Sequence, residues 1–162
     1  MSNIVIINTG NGNFLSVKRA VEKFNKNVKI SHDPKEIISA SKIILPGVGA
    51  FKDSVSFLKK NKIFEIIKEI SNQKPILGIC LGMQLLFENS NEFGFCDGLN
   101  IIQGNIKPLP NQKIDEFNYK IPNIGWYNLE NNSKNFKYFD EKKDDFYFIH
   151  SFYAKDVKDE NL

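Results

Sequence analysis

The feature that most constrains this chain is the alternation, over its first ninety residues, of short β-branched runs with helical patterns. Residues 3–8 (NIVIIN) read as a fully buried strand, closed by a Gly/Asn turn at Gly10-Asn-Gly-Asn13. Val17, Ala20, Val21 and Phe24 then recur at helical spacing. Val28–Ser31 is a second strand, and Pro34 opens a short helix at its first turn. Lys42–Leu45 is a third strand, stopped by Pro46-Gly47-Val48-Gly49. Ile63, Ile66, Ile67 and Ile70 form another helical stripe, Pro75–Ile79 a fourth strand, and Leu81–Glu88 a helix that starts at once. Apolar strands separated by helices imply a parallel sheet covered on both faces. With right-handed crossovers that is an open, doubly wound, mostly parallel α/β sheet.

From about residue 91 the pattern changes to turn residues and short alternating strands, Ile101–Ile106 and Ile124–Leu129, expected to pair antiparallel. A strong buried strand, Asp145–Tyr153, follows. No repeat or linker divides the 162 residues, so residues 1–162 read as one domain. Ala154–Leu162 is polar with no closing helix. The last strand and helix of such a sheet are missing from the pattern, and a C-terminal truncation is expected. Of 22 basic residues only Arg19 is Arg, the preferred side chain for bidentate phosphate and base-edge contacts, which argues against a nucleic-acid binder. No apolar run reaches the roughly 18 residues of a membrane span, and the opening strand lacks the basic flank of a signal peptide. Two cysteines make no disulfide framework. These bounds point to a soluble, cytoplasmic protein.

The sharpest local motif is Gly78-Ile79-Cys80-Leu81-Gly82, set where a strand meets a helix. It has the form of a nucleophile elbow with Cys in place of Ser. Small residues two before and two after the nucleophile let the backbone fold back, lifting the thiol above the carboxyl end of the sheet, where open α/β sheets take ligands. The following helix start favours thiolate, and the Leu81 amide faces any oxyanion formed at the attacked carbon. The competing reading of Cys80 is a buried structural cysteine. Pro46-Gly47-Val48-Gly49 would lie beside the elbow, with glycines that permit a peptide to flip and offer an N–H. As a motif by itself it reads as a plain turn. Gly10-Asn11-Gly12-Asn13 with Asp33 about 20 residues on fails as a dinucleotide fingerprint, because Leu15 stands at the third glycine. His32 reads as an exposed turn residue. His150, in Phe146-Tyr-Phe-Ile-His150, is on its face the obvious base for Cys80, with a core or substrate-lining histidine as the alternative. Cys96 reads as incidental. No His/Cys spacing supports a metal site, and no cofactor is implied. Trp126 sits in Pro122-Asn-Ile-Gly-Trp126, read as an irregular loop in the core or at an interface.

The run Gly78-Ile-Cys-Leu-Gly-Met-Gln-Leu-Leu-Phe-Glu88 closely resembles the nucleophile segment of class I (triad) glutamine amidotransferases. Together with Pro46-Gly-Val-Gly-Ala-Phe51, Pro122-x-x-Gly-Trp126 and Phe148-Ile-His-Ser151, the chain resembles the glutaminase subunits of imidazole glycerol phosphate synthase over its whole length. The resemblance implies that Cys80 attacks the glutamine carboxamide, forming a thioester and releasing ammonia. It implies that the amides of Leu81 and, after a peptide flip at Gly47–Val48, of Val48 hold the oxyanion. Gly49, Gln84, Glu92, Ser151 and Phe152 fall on positions that bind glutamine, and Asn13 and Trp126 on the partner-facing surface. The implied partner is a (β/α)8-barrel synthase subunit that receives the ammonia without exposing it to water.

Two departures accompany the likeness. The family's base and its orienting carboxylate lie on a His-x-Glu segment near the C-terminus, and residues 1–162 contain none; by this alignment His150 is not the base. Asn123 stands where the family usually has His, and Asn8-Thr9 replace commoner residues before the glycine turn, which leaves the partner open. The alternatives are a relative that supplies ammonia for sugar amidation in surface glycan synthesis, a glutaminase-like scaffold that binds the barrel without hydrolysing glutamine, and a stand-alone Cys hydrolase using His150.

Overall fold

Val5, Ile6 and Ile7 are each fully buried, so the strand they form is covered on both faces, as a central strand of a parallel sheet must be. The computed structural model describes residues 3–110, 113–114, 117–118, 120–129 and 144–158. The first half runs β1 (Ile4–Ile7), α1 (Phe14–Glu22), β2 (Val28–Ser31), α2 (Pro34–Ser39), β3 (Lys42–Gly47), α3 (Phe51–Lys60), α4 (Phe64–Ser71), β4 (Ile76–Cys80) and α5 (Leu81–Gln84). The four strands are parallel, in the order β2-β1-β3-β4. The order reverses between β1 and β3, so the loops leaving their carboxyl ends flank the crevice where doubly wound sheets take ligands.

Alternation along the strands divides the apolar residues between two layers. Val5, Ile7, Ile43 and Leu45 meet Ile37 of α2, Phe51, Val55 and Leu58 of α3, and Ile67 and Ile70 of α4 in the main core. Ile6, Val28 and Ile44 face the other way, against Phe14, Val17 and Val21 of α1. The second half adds β5 (Asn89–Ser90), β6 (Cys96–Asp97), β7 (Asn105–Pro108), β8 (Lys113–Ile114), β9 (Phe117–Asn118), β10 (Asn123–Asn128), β11 (Asp145–His150) and β12 (Phe152–Lys155). β12, β7, β5 and β6 make a mixed sheet, and β10 pairs antiparallel with β11. The α/β class and the short antiparallel strands expected from the sequence are both present.

Several boundaries differ from expectation, each for a visible reason. β3 continues through Pro46 and Gly47, because Gly47 pairs with Cys80 of β4. α3 has no counterpart in the sequence reading, although Phe51, Ser54, Val55 and Leu58 are spaced for one face and all buried. α1 ends at Glu22; the N–H groups of Phe24 and Asn25 both donate to the Val21 carbonyl, and Phe24 swings out to 92% exposure. The helix expected over Leu81–Glu88 stops at Gln84. The carbonyls of Leu85, Leu86 and Phe87 instead accept from the backbone of Leu99, Ile101, Ile102 and Asn100, so they cannot continue an i→i+4 ladder. The same contacts confine the strand expected over Ile101–Ile106 to Asn105–Pro108. The strand expected over Ile124–Leu129 is β10, and it also takes in Asn123 to Trp126 of the segment read as an irregular loop, held by a full register against β11. The strand expected over Asp145–Tyr153 breaks at Ser151, because β11 pairs with β10 and β12 with β7. Nor is β11 buried: Phe146, Tyr147 and Ile149 are exposed. Residues 159–162 of the polar ending lie outside the described residues. Among the described residues no helix is long and apolar enough to cross a membrane.

Leu45 is fully buried between the sheet and its helices, so Leu45→Ala is expected to cost about 3 kcal/mol of stability in chemical denaturation. Phe24→Ser at the exposed site should change stability by less than about 0.5 kcal/mol.

Candidate active site

Cys80 closes β4 and precedes α5 with φ +55° and ψ −120°, a left-handed backbone at a non-glycine residue. Such strain is sustained only where the surroundings dictate it. Here they do so through two close approaches. A Cβ on Gly78 would stand 2.5 Å from Met83 Cα, and one on Gly82 would run into the Leu45 carbonyl. With no side chain at either position, the turn nests against the end of β3. The thiol of Cys80 is exposed, which removes the reading of a buried structural cysteine. α5 spans only one turn, so the field it adds at Cys80 is that of a few aligned peptides and not of a long helix.

Val48, Gly49, Cys80, Leu81, Gln84, Glu92, Ser151 and Phe152 line one cavity of about 390 Å³, with Pro122, Ile149 and His150 completing the wall. Five separate segments thus meet around one thiol. A second cavity of about 430 Å³ reaches Cys80 from the side of Ile79 and Met83, between β4 and the β11–β12 segment. Within the first cavity the Gln84 amide donates to the Phe152 carbonyl at 3.4 Å. The Glu92 carboxylate accepts from the Phe51 N–H at 2.7 Å, and its own N–H donates to Ser90 Oγ. The Ser151 carbonyl accepts from the Leu109 N–H at 2.8 Å, which fixes the bend between β11 and β12.

The Val48 N–H does not face the thiol's cavity as an unused donor. It donates to the Asn11 carbonyl at 3.4 Å. The buried Thr9 hydroxyl lies 3.1 Å from that carbonyl and 3.2 Å from the Pro46 carbonyl, close enough to donate to either. The glycine turn after β1 therefore holds the loop after β3, a backbone contact that no side-chain motif announces. Gly49 follows with φ +95°.

His150 borders the cavity, yet both ring nitrogens are committed elsewhere. Tyr127 Oη donates to Asn123 Oδ1 at 2.9 Å, which turns Asn123 Nδ2 toward His150 Nε2 at 3.1 Å. Nε2 must then accept, so Nδ1 carries the proton and donates to the Phe152 carbonyl at 2.9 Å. The lone pair that a base would use is occupied, and the stand-alone hydrolase reading loses its base. The Asn123 substitution noted in the sequence finds its role here, as the donor to that ring.

The remaining candidates have structural duties. Asn13 N-caps α1, its side chain accepting from the Ser16 N–H, and stays exposed. Asp33 N-caps α2 through the Lys35 N–H, which accounts for the acid that the dinucleotide reading would have used. His32 packs its ring edge against Phe57. Trp126 is 69% exposed and packs at 5.4 Å, with its ring tilted by 57°, against Tyr147 across the β10–β11 pair. Cys96 is half-buried against the core, and burial pushes its thiol above the ordinary value. Among the described residues no cluster of His, Cys, Asp and Glu is arranged to hold a metal ion.

Exposure and thiolate fraction together set alkylation rates. Iodoacetamide at pH 8 is expected to label Cys80 well before Cys96, as read by intact mass and peptide mapping.

The sequence profile of the family described as glutamine amidotransferase class-I matches residues 5–160. The imidazole glycerol phosphate synthase subunit HisH 1 of Legionella pneumophila (strain Paris) is 40% identical over 161 residues, spanning 95% of this chain and 76% of that protein. The subunit of the same name from Campylobacter jejuni subsp. jejuni serotype O:23/36 (strain 81-176) is 42% identical over 160 residues, spanning 97% and 77%. A crystal structure titled glutamine amidotransferase superposes with a TM-score of 0.69 at 13% identity, over 96% of this chain and 75% of that one, a likeness of fold.

Proposed function

Because this chain belongs to the class-I glutamine amidotransferase family, we propose that it is the glutaminase subunit of an imidazole glycerol phosphate synthase, acting in histidine biosynthesis in the cytoplasm. The observation that carries the reading is the exposed Cys80 on a strained elbow, facing a cavity of about 390 Å³ that Gln84, Glu92 and Ser151 also line. That volume lies in the range of small-ligand sites.

In the proposed reaction Cys80 Sγ attacks the side-chain carbonyl carbon of glutamine. The C–O π electrons move to oxygen, giving a tetrahedral oxyanion. The Leu81 N–H at the start of α5 faces that oxygen. The Val48 N–H joins it once the Gly47–Val48 peptide turns away from the Asn11 carbonyl, which it contacts in the structure described here. Two oriented N–H groups are worth most where water is excluded. Collapse of the intermediate breaks the C–N bond, and the nitrogen leaves as ammonia after taking a proton. Water then attacks the thioester, releasing glutamate and restoring the thiol. Proton transfer in both halves needs a general base. The family likeness puts that base and its carboxylate on a His-x-Glu segment absent from residues 1–162, so the proposal requires both groups from outside these residues. The intact mass of the natural protein, set against 18.6 kDa for residues 1–162, tests that requirement.

Gly49, Gln84, Glu92, Ser151 and Phe152 are proposed to hold the glutamine. The α-ammonium is assigned to Glu92, the one carboxylate among the described residues that line the cavity. Ammonia is proposed to pass to a (β/α)8-barrel synthase subunit docked over the site. Supporting a docked partner is the exposed apolar face of the β10–β11 pair, where Ile124, Trp126, Tyr147 and Ile149 are each more than half exposed. Contiguous apolar surface of this kind marks interaction sites. Keeping ammonia out of water prevents its protonation to ammonium, which is not a nucleophile.

Cys80→Ala and Cys80→Ser are expected to abolish glutamine-dependent product formation by the reconstituted complex, to below about one part in a thousand. Ammonia-dependent synthesis by the partner should be unchanged. Loss of both activities would mean that Cys80 serves the structure and not the chemistry.

A further inference from the structure

The helix that leaves the proposed oxyanion loop has no cap of its own. α3 begins at Phe51, and the residue before it, Ala50, has no side-chain acceptor to offer the first-turn N–H groups. Phe51 itself is fully buried, so its N–H needs a partner within the protein. That partner comes from 41 residues away, as the Glu92 carboxylate at 2.7 Å. A charge-assisted bond at a helix N-terminus is among the stronger backbone contacts a side chain makes. Glu92 is anchored in turn, its own N–H donating to Ser90 Oγ. Ser90 is fully buried in β5, between β6 and β7.

Only Val48, Gly49 and Ala50 separate the end of β3 from Phe51. One end of this three-residue span is held by sheet pairing at Gly47. The other end is held by Glu92. The same carboxylate lines the cavity in which Val48, Gly49 and Cys80 stand.

We propose that Glu92 is a positioning residue for the oxyanion loop as well as a ligand for substrate, one oxygen fixing the Phe51 N–H and the other receiving the substrate's cationic group. The inference rests on the glutaminase reading given above and adds the link between binding and loop geometry. A ligand ammonium that draws on this carboxylate acts directly on the anchor of the segment carrying the Val48 amide. Occupancy of the binding subsite and alignment of the oxyanion donor are then coupled through one side chain.

Two substitutions separate the roles. Glu92→Gln keeps an oxygen able to accept from Phe51 but loses the charge. Glu92→Ala loses both. In the full-length protein with its partner, Glu92→Gln is expected to raise KM for glutamine about tenfold or more while kcat stays within about twofold. Glu92→Ala should raise KM similarly and also lower kcat about tenfold, with the Gln variant as the rescue of that second loss. A folded Glu92→Ala enzyme with unchanged kcat would overturn the positioning role, as would equal kcat losses in the two variants. A second readout does not depend on turnover. Hydrogen exchange over residues 48–54 of the ligand-free protein should be faster in Glu92→Ala and near wild type in Glu92→Gln. Equal exchange in all three proteins would overturn the proposal. A wild-type complex that fails to hydrolyse glutamine would sink the glutaminase reading instead, leaving the exchange result to decide the link between Glu92 and the loop.

Discussion

Much of this protein depends on how closely two backbone segments can approach at the carboxyl end of the sheet. Gly82 presses against the Leu45 carbonyl and Gly78 against Met83, at separations that leave no room for a Cβ. That contact lets β4 turn straight into α5, and it holds Cys80 in a left-handed conformation that a cysteine in an open chain would avoid. The strain at Cys80 is sustained by the packing of Leu45, Leu81 and Leu85 in the main core beneath it. Core and elbow are therefore one construction.

Backbone polar groups decide the next level of detail. Each carbonyl that a short helix leaves open has to find a donor. Leu85, Leu86 and Phe87 find theirs in the segment from Leu99 to Ile102, which ends α5 after one turn and tethers the second half of the chain to the elbow. The Asn11 carbonyl takes the Val48 N–H in the same way and so ties the glycine turn to the loop after β3. On the far wall, Tyr127, Asn123, His150 and the Phe152 carbonyl form a chain of hydrogen bonds that sets the tautomer of the only histidine lining the cavity. These contacts orient groups around Cys80.

What was legible beforehand follows from range. Ile4–Ile7, Val28–Ser31 and the stripe from Ile63 to Ile70 were readable because burial on two faces or on one stripe leaves a periodic trace in neighbouring residues. Gly78 and Gly82 were readable because a turn this tight admits few other residues. α3 left a similar trace at Phe51, Ser54, Val55 and Leu58 that the turn signals before it masked. The strand over Ile124–Leu129 was readable from its alternation, whereas Pro122 and Gly125 gave the segment up to Trp126 the look of a loop, and only pairing with β11 carries the strand through it from Asn123. The bond from Phe51 to Glu92 left no trace, since it joins a backbone atom to a side chain 41 residues on.

The sequence by itself determined the parallel α/β core, the position of the Cys80 elbow and the short strands that follow, because periodicity and glycine placement act over a few residues. Only the tertiary structure decided where α5 stops, which donor holds Val48, what His150 is bonded to and why Glu92 faces both a helix and a cavity. Each of those depends on a backbone N–H or C=O meeting a partner far away in the chain. Every residue but proline carries both groups, so their choice of partner is written in the packing and not in the side-chain pattern.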